Sequence, residues 1–406
     1  MNFTSPFSLA LGAIIALSLI GVPIGQAMIG GSVLYLYLKG MDMGTAAEQL
    51  LNGTYQSFLL LAIPLFIYGI GVGFDSDGGA PVADSALVSA LAGIVARESA
   101  SLGLGMAWMM QQMLARFVLS PNLRSDRHRA LLQSMAVGDT LLALAISEPG
   151  TGAHPKHLSC RAVRDGDDWL LDGHKAFVSN GPAADAIIVL AVSGEKEGRK
   201  RVDAFVVEVN TPGLTRQLDD KVRGLAPLGH CGMQLVGCRV PESQRLGEPG
   251  QAFDTIARPL RAIEDALLLG PMLGAMQAEL DTLARWFRHA ARTPALTREL
   301  GGLQLELDAL SPVARHAAQH LDQHGPDEAL AAFNLGARRL FDRWQGACES
   351  FAAALDDHEP ALLTLARDLR LVQGIARSIA ESRQFQAGET LLESTTTHEN
   401  TAPSPL

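Results

Sequence analysis

The chain of 406 residues has few cysteines and few aromatic residues, and it carries an excess of negative charge. Cys160, Cys231, Cys238 and Cys348 include no CxxC pair, so these scattered thiols indicate a reducing compartment. Aromatic residues make up 5% of the sequence and the formal net charge is −10, which gives no support for nucleic-acid binding.

Two sequence patterns are incomplete, one typical of dinucleotide binding and the other typical of metal binding. The segment Gly103 to Gly105 lacks the third glycine and the preceding strand of a dinucleotide-binding fingerprint. His316, His320 and His324 share one helical face at four-residue spacing, but no carboxylate or cysteine completes a ligand set with a defined spacing. The sequence therefore predicts neither a Rossmann site nor a metal site.

Charged residues are nearly absent before residue 75. Lys39, Asp42 and Glu48 are the only ones, and residues 7–25 form an uncharged apolar run close to the roughly 20 residues that a transmembrane helix needs. No cation precedes this run, and no small-x-small cleavage site closes it convincingly. A membrane segment is therefore favoured over a signal peptide.

Two pieces of this region, Gly21 to Ile24 and Leu61 to Ile67, resemble the start of the large membrane subunit of tripartite ATP-independent periplasmic (TRAP) transporters. The resemblance ends near residues 71–79. Such permeases need several hundred residues to build a transport path, so transport by this chain is not expected. Two interpretations of residues 1–74 stay open: a membrane tether, or an accidental join by gene fusion or sequencing.

From residue 75 onward the composition is that of a soluble protein, and the periodicity changes twice. Helical spacing over 82–118 and 126–136 is followed by β-branched runs at 186–192 and 202–209, with a hairpin predicted around Asp172-Gly173. The following region is helical by pattern. Its breaks are predicted at Gly270-Pro271, Gly301-Gly302, Gly325-Pro326 and Glu359-Pro360.

The predicted fold class is α+β multidomain, preceded by a hydrophobic membrane-type segment. The predicted segments are a hydrophobic stretch (1–74), a truncated helical N-terminal domain (75–140), an antiparallel β middle domain (141–248), a C-terminal helical bundle (249–385) and a disordered tail (386–406).

A glycine-containing turn and a second segment about 25 residues later form the most specific pattern in the chain. Ser147 to Gly152 reads Ser-Glu-Pro-Gly-Thr-Gly, in which glycines permit special backbone conformations and close approach, and proline presets the turn. His174 to Gly181 reads His-Lys-Ala-Phe-Val-Ser-Asn-Gly. The turn alone is common, but the two segments in register indicate one site.

This pairing resembles the acyl-CoA dehydrogenase family, and the similarity continues through Arg239 to Glu242 and Leu246 to Gly250. The resemblance implies that residues 75–385 have an acyl-CoA dehydrogenase-like fold and bind FAD. It also implies α,β-dehydrogenation of an acyl-CoA thioester substrate, reoxidation of the flavin by a separate electron-transfer flavoprotein, and a homo-oligomer.

Three side chains are predicted to contact the isoalloxazine ring. A flat ring needs an aromatic or apolar wall and a few polar donors, because reduction leaves charge on the ring that fixed dipoles must stabilise. Phe177 is the predicted wall, and Ser147 and Ser179 are the predicted hydroxyl donors.

Oxidation of a thioester also requires a base for the α-proton, usually a desolvated carboxylate. The resemblance offers two places for it. The usual one, near residues 367–374, has no glutamate at the expected distance, whereas Glu264 falls on the other. Leucines at helical spacing would bury Glu264 and raise its pKa. These leucines are Leu260, Leu267 and Leu268. The alternative is that Glu264 pairs with Arg261 on a solvated face.

Several positions depart from the family pattern. Asp265 replaces the arginine that follows the glutamate, Ala153 and His154 replace a Ser-Asp pair, and the arginine motif expected near residue 290 is missing. The predicted function is a flavin-dependent acyl-CoA oxidoreductase. A catalytically silent flavin- or acyl-CoA-binding paralogue is the alternative, and a transporter fragment is the third. The predicted location is cytoplasmic for residues 75–406, with inner-membrane association through the N-terminal segment.

Overall fold

The computed structural model describes residues 84–153, 155–218, 224–288, 293–353, 360–375 and 377–399. The predictions for residues 1–74, including the membrane segment and the transporter resemblance, fall outside these ranges. Within them, no helix is both long enough and apolar enough to span a bilayer.

Within the described residues, three helices precede the sheet: α1 (Ser85–Glu98), α2 (Leu102–Met113) and α3 (Asp126–Ala136). Each follows a side chain that accepts a backbone N–H of the first turn, supplied by Asp84, Ser101 and Ser125 respectively. The helix predicted over 82–118 is therefore divided, because Ser99 closes α1 and Ser101 begins α2. A π-helical turn, Leu114–Leu119, extends α2.

Within the described residues, one sheet has the strand order β6-β7-β3-β2-β4-β5-β8, with β1 alongside β4. The strands are β1 (Leu142–Ala145), β2 (Arg161–Asp165), β3 (Asp168–Ser179), β4 (Ala186–Lys196), β5 (Arg199–Glu208), β6 (Leu214–Leu218), β7 (His230–Pro241) and β8 (Arg245–Leu246). The sheet is mixed where an antiparallel one was predicted, because β1 and β2 each pair with β4 in parallel. The β2–β3 hairpin lies between β1 and β4 in sequence and returns the chain to the end where β1 began.

The hairpin predicted around Asp172-Gly173 is wrong. Its turn lies at Gly166-Asp167, and β3 runs through Asp172-Gly173 without reversing. Gly173 has a φ of 147° at a register shift against β7, and a Cβ at this position would overlap Cys160. This glycine accommodates a bulge and a close neighbour rather than a turn.

The first six residues of β4 are buried on both faces of the sheet, and successive side chains point to opposite faces. Alternate residues of β4 pack against the helices, and the residues between them join a second cluster made almost entirely of strand residues. The first set is Ala186, Ile188 and Leu190, and the second is Ile187, Val189 and Ala191.

In the part of the chain that the structure describes, five α-helices follow the sheet: α4 (Arg258–Phe287), α5 (Pro294–His324), α6 (Glu328–Ala353), α7 (Pro360–Gly374) and α8 (Arg377–Glu399). The breaks predicted at Gly270-Pro271 and Gly301-Gly302 are wrong, because both pairs lie inside continuous helices. The break at Gly325-Pro326 is confirmed, since Gly325 has a φ of 76° and ends α5.

The disordered tail predicted from residue 386 differs from the structure, in which α8 continues to Glu399. The prediction rested on the threonines and prolines near the C-terminus. The segment before them is rich in good helix formers, and its side chains up to Leu392 are exposed. These helix formers are Gln384, Gln386, Ala387, Glu389, Leu391 and Leu392.

Helix α4 passes through Pro271 because another helix replaces the hydrogen bond that proline cannot make. Proline has no N–H, so the Leu267 carbonyl lacks its donor within α4. The Ser89 hydroxyl of α1 donates to that carbonyl at 3.1 Å. The two backbones are in close contact here, since a Cβ at Gly274 would overlap the Gly93 carbonyl. Helix α1 therefore packs directly on the backbone of α4.

One added methyl group tests this contact. We expect Gly274→Ala to lower the free energy of unfolding by about 1–3 kcal/mol or more, because the new Cβ overlaps backbone atoms of Gly93. Gly301→Ala is the control, since a Cβ at Gly301 in α5 meets nothing within 4 Å. Alanine favours a helix over glycine, so this control should stabilise the protein by about 0.5–1 kcal/mol. Equal urea midpoints for the two variants would contradict the packing.

A buried carboxyl group lies further along α4. Glu279 is 1% exposed, Gln345 Nε2 of α6 donates to its Oε1 at 3.1 Å, and its Oε2 has no partner among the described residues. Burial raises the pKa of Glu279 to about 8. The Gln345 hydrogen bond opposes this rise, the negative charge of Glu349 adds to it, and Arg370 opposes it. Glu279 is therefore mostly protonated in the folded protein at neutral pH.

Glu279→Gln should remove a pH dependence of stability. The folded-state pKa is about 8 against an ordinary 4.5, so stability falls as the pH rises between these values and then levels off. We expect the variant and the wild type to unfold alike near pH 4.5. At pH 8.5 the variant should be more stable by on the order of 3–5 kcal/mol. Urea unfolding across this pH range measures the difference. Exposed Glu306→Gln should leave the curve unchanged, and parallel curves for Glu279→Gln and the wild type would refute the assignment.

Candidate functional site

The chain makes a tight turn directly after β1. The Glu148 N–H donates to the Gly152 carbonyl at 2.9 Å, and the Gly152 N–H donates back to the Glu148 carbonyl at 3.1 Å. Gly150 and Gly152 have φ angles of 77° and 60°, so both need the freedom that glycine provides. A Cβ at either position would meet nothing within 4 Å, and open space therefore lies beside the turn.

Strand β3 carries Phe177 outward because its pairing slips at this point. Lys175 is 1% exposed and pairs with Met233 of β7, whereas Val178 is fully buried and pairs with Cys231. Regular alternation would place Lys175 and Phe177 on the same face. The extra residue of the bulge breaks this alternation, and Phe177, with a φ of 56°, is 57% exposed.

Hydrogen bonds join the turn to the bulged part of β3. The Ala176 N–H donates to the Ser147 carbonyl at 2.9 Å, and Lys175 Nζ donates to the Ile146 carbonyl at 3.0 Å. The same ammonium group lies 2.9 Å from Glu148 Oε1. Ser147 is thus held between two residues that both bind Lys175.

The Glu148–Lys175 ion pair is enclosed, with side chains 3% and 0% exposed. The Glu148 carboxylate also accepts the Ser159 N–H at 2.7 Å, the Ser159 hydroxyl at 2.6 Å and the Cys160 N–H at 2.9 Å. Burial raises the pKa of Glu148, but these hydrogen bonds and the Lys175 charge outweigh it, and the resulting pKa lies below the ordinary value. A buried charge with this full set of partners is compatible with the protein interior.

The end of β3 reaches the helical layer. Ser179 pairs with His230 of β7, and the next residue, Asn180, has a φ of 58°. The Asn180 N–H donates to the Gly229 carbonyl at 2.9 Å, and its side-chain amide donates to the Ala107 carbonyl of α2 at 3.5 Å. The strand that carries Phe177 and Ser179 is therefore anchored to α2.

Three features of this surface fit a flat, partly polar ring. The Phe177 ring is exposed, and open space lies beside Gly150 and Gly152. In the part of the chain that the structure describes, the hydroxyls of Ser147 and Ser179 have no hydrogen-bond partner. A wall and polar donors are what an isoalloxazine requires. The structure brings Ser147 beside the strand of Phe177 and Ser179, and their contact with a flavin stays a prediction.

Glu264 lies on α4, and its Oε2 is 3.3 Å from Arg261 Nη1. Its side chain is 22% exposed. Burial raises the pKa of Glu264, the Arg261 charge lowers it, the Asp265 charge raises it and the Arg338 charge lowers it, with a net rise. The structure contains both the ion pair with Arg261 and a raised pKa of Glu264. These observations do not choose between an ion-pairing role and a catalytic one, so the catalytic role of Glu264 stays a prediction.

Asp265 lies in a network of arginines. Arg261 Nε donates to its carboxylate at 2.9 Å, and Arg338 Nη1 of α6 lies 3.5 Å away. Arg338 Nη2 also donates to the carbonyls of Gln373 at 3.0 Å and Ile375 at 2.7 Å, at the end of α7. This network borders a cleft of about 440 Å³ among α4, α6 and α8. The negative charge that replaces the family's arginine is therefore balanced by two neighbouring cations.

The histidines of α5 contact the start of α6. His320 Nε2 lies 2.9 Å from Asp327 Oδ1, and its ring contacts the His324 ring in a tilted arrangement with centroids 4.7 Å apart. His316 packs on Phe333 with centroids 4.8 Å apart. Among the described residues, no group of three or more His, Cys, Asp or Glu is arranged to hold a metal ion.

Glu148 and Lys175 are the site residues to which the sequence argument gave no role. A signal was present, because Lys175 is in phase with the buried Leu171 along β3. A lysine at an inward strand position is almost never buried without a partner. The glutamate of the preceding turn was the available partner in the same pair of motifs.

The segment that contains this turn and strand is similar in sequence to known proteins. Residues 143–238 match the sequence profile of the acyl-CoA dehydrogenase middle domain. The short-chain specific acyl-CoA dehydrogenase of rat mitochondria is 31% identical over 166 residues, which is 40% of this chain and 40% of that protein. An acyl-CoA dehydrogenase of Bacillus subtilis is 37% identical over 124 residues, 30% of this chain and 32% of that protein. The chain thus matches these curated relatives over less than half of their length.

Solved structures extend the similarity beyond the sheet. Butyryl-CoA dehydrogenase from Megasphaera elsdenii superposes with a TM-score of 0.69 at 20% identity, covering 82% of this chain and 89% of that chain. The described chain therefore has the acyl-CoA dehydrogenase-like fold, with a central sheet and a helical C-terminal part, and residues 143–238 are similar to that family's middle domain.

Proposed function

We propose that this chain binds FAD and acts as an acyl-CoA dehydrogenase-like oxidoreductase, converting an acyl-CoA thioester to its α,β-unsaturated product. The observation that carries the proposal is the joined turn and strand, in which hydrogen bonds hold Ser147 beside the strand of Phe177 and Ser179. The similarity of residues 143–238 to the acyl-CoA dehydrogenase middle domain supports it.

The residues of this surface have distinct roles in the proposal. Phe177 would pack against the isoalloxazine ring, and Ser147 and Ser179 would donate hydrogen bonds to its polar edge. Bound FAD would supply the acceptor for the hydride that leaves the β-carbon of the thioester.

Glu264 is the proposed base for the α-proton. Its raised pKa brings the carboxyl group closer to the acidity of the activated carbon acid. Arg261, at 3.3 Å, favours the ionised form that must exist before the proton is taken. Glu264 would take the α-hydrogen as a proton, and the electron pair of that C–H bond would form the new double bond as the β-hydrogen leaves as hydride for the acceptor that bound FAD would supply.

Turnover then needs an electron acceptor outside this chain. An electron-transfer flavoprotein is the proposed partner, and a homo-oligomer in the cytoplasm is the proposed form of the enzyme. The family resemblance supports both. Association with the inner membrane through residues 1–74 stays a proposal that concerns residues outside the described ranges.

A catalytically silent flavin- or acyl-CoA-binding paralogue is the second candidate. The observation that favours it is the double engagement of Arg261, which contacts both Glu264 and Asp265. A carboxylate held by a guanidinium accepts a proton less readily than an unpaired one. The third candidate, a TRAP transporter fragment, concerns residues 1–74 alone.

The first test is flavin binding by the full chain. We expect the purified protein to bind FAD non-covalently with an absorption band in the visible region. Phe177→Ala combined with Ser179→Ala should weaken this binding at least tenfold, because the variant loses the ring's wall and one donor. Exposed Val236→Ala is the control and should bind FAD as the wild type does. A wild type that stays colourless after reconstitution with FAD would refute the proposed function.

The second test separates the enzyme from the silent paralogue. Anaerobic mixing with butyryl-, isovaleryl- or octanoyl-CoA should bleach the bound flavin, and Glu264→Gln should slow bleaching by about 10²–10⁴-fold without loss of flavin. Glu279→Gln, a substitution of another glutamate on α4, should bleach at the wild-type rate. If the wild type holds FAD and none of these thioesters bleaches it, the silent paralogue is the better description. If Glu264→Gln bleaches as fast as the wild type, Glu264 is not the base.

A further inference from the structure

We propose that the buried Glu148–Lys175 ion pair is a positioning device for the flavin site, which fixes Ser147 and Phe177 without touching the flavin itself. The inference rests on the proposed function, since it assigns the pair to the same site. Neither charge can reach a ligand, because the side chains of Lys175 and Glu148 are 0% and 3% exposed. Any effect of the pair on the flavin must pass through the residues that it holds.

The pair connects three segments that are separate in sequence. Glu148 belongs to the turn after β1, Lys175 belongs to β3, and Ser159 with Cys160 leads into β2. The two oxygens of the Glu148 carboxylate accept hydrogen bonds from the other two segments. Loss of the Glu148 charge would leave the Lys175 ammonium buried without a counter-charge, and the Ile146 carbonyl is its only other hydrogen-bond partner among the described residues.

Ser147 is fixed because both of its neighbours bind the same ammonium group. The Ile146 carbonyl on one side and the Glu148 carboxylate on the other contact Lys175 Nζ at 3.0 and 2.9 Å. The Ser147 carbonyl accepts the Ala176 N–H at 2.9 Å. The backbone on both sides of Ser147 is therefore attached to β3, which leaves rotation of the hydroxyl as its main freedom.

Phe177 depends on the pair through the bulge. A φ of 56° is unfavourable for an aromatic residue and persists only where the surroundings hold the backbone. Two inward side chains flank the bulge, Lys175 on one side and the fully buried Val178 on the other. Between them, the Ala176 N–H donates to Ser147 instead of β7. If Lys175 lost its charged partner, one of the two anchors that turn the Phe177 ring outward would be weakened.

A buried ion pair such as Glu148–Lys175 fixes the positions of the segments that it joins more than it increases the free energy of unfolding. Replacement of a buried ion pair by apolar groups is often neutral or stabilising, because desolvation offsets much of the attraction between the charges. A variant without both charges can therefore remain folded while the turn and the bulge lose their register. This difference separates a positioning role from a stabilising one.

The test compares Glu148→Gln with Glu242→Gln in the full-length protein. Glu242 is an ion-paired carboxylate of the same sheet region whose side chain is 36% exposed, and its partners are Trp169, Arg164 and Arg245. Two quantities are measured at a temperature where circular dichroism shows both variants folded. One is hydrogen exchange of the Ala176 amide without FAD, and the other is the FAD dissociation constant by fluorescence titration. We expect Glu148→Gln to accelerate the exchange and weaken FAD binding at least tenfold each, and Glu242→Gln to stay within twofold of the wild type.

The double variant Glu148→Gln/Lys175→Met removes both charges and is also the substitute if the single variant does not fold. The melting temperature of the double variant should be higher than that of Glu148→Gln and closer to the wild-type value. Its Ala176 exchange should stay as fast, and its FAD binding as weak, as in Glu148→Gln. Recovery of FAD affinity together with stability would reduce the pair to a structural role and overturn the proposal. Unchanged Ala176 exchange in Glu148→Gln would overturn it as well. If the wild type binds no FAD, the proposed function fails, and the exchange experiment alone decides whether the pair positions the turn.

Discussion

The candidate site is arranged around one buried ion pair, in which Glu148 neutralises the inward-facing Lys175. Lys175 lies on the buried side of β3, where an unpaired ammonium group would be very costly. Glu148 neutralises it only if the turn after β1 lies directly over the strand, and the same carboxylate then draws in the segment at Ser159. The exposed Phe177 ring and the open space at Gly150 lie on the two segments that this contact joins.

The helical layer is held by contacts of a different kind. Helices α1 and α4 meet through glycine backbones, through the Ser89 hydroxyl, which donates to the carbonyl that Pro271 leaves without a donor, and through an exposed ion pair between Arg97 and Asp281. Small residues let the axes approach closely, so the position of α4 depends little on flexible side chains. Asn180 then connects the end of β3 to α2. Close backbone contacts therefore position the helix that carries the predicted base, whereas a side-chain ion pair positions the predicted flavin contacts.

Three carboxyl groups on α4 reach different electrostatic states on the same helix. Asp265 lies between Arg261 and Arg338, which balance its charge. Glu279 has a glutamine as its hydrogen-bond partner and the more distant Arg370, so burial raises its pKa to about 8. Glu264 is intermediate, with one arginine at 3.3 Å and a raised pKa. The distances to guanidinium groups and the depth of burial, rather than the residue type, distinguish these three carboxyl groups.

The sequence by itself determined the features that depend on local backbone preferences. The β-branched runs of β4 and β5, the end of α5 at Gly325 and the pairing of the two motifs are of this kind, because period, propensity and turn chemistry act over a few residues. Tertiary structure decided the rest. Pro271 continues a helix because its missing hydrogen bond is replaced from Ser89, 178 residues away from Leu267 in sequence. Phe177 faces outward because of a bulge against β7, and the two cations beside Asp265 come from different helices. No local pattern encodes these outcomes, since each depends on a donor, a strand or a charge that folding brings from elsewhere in the chain.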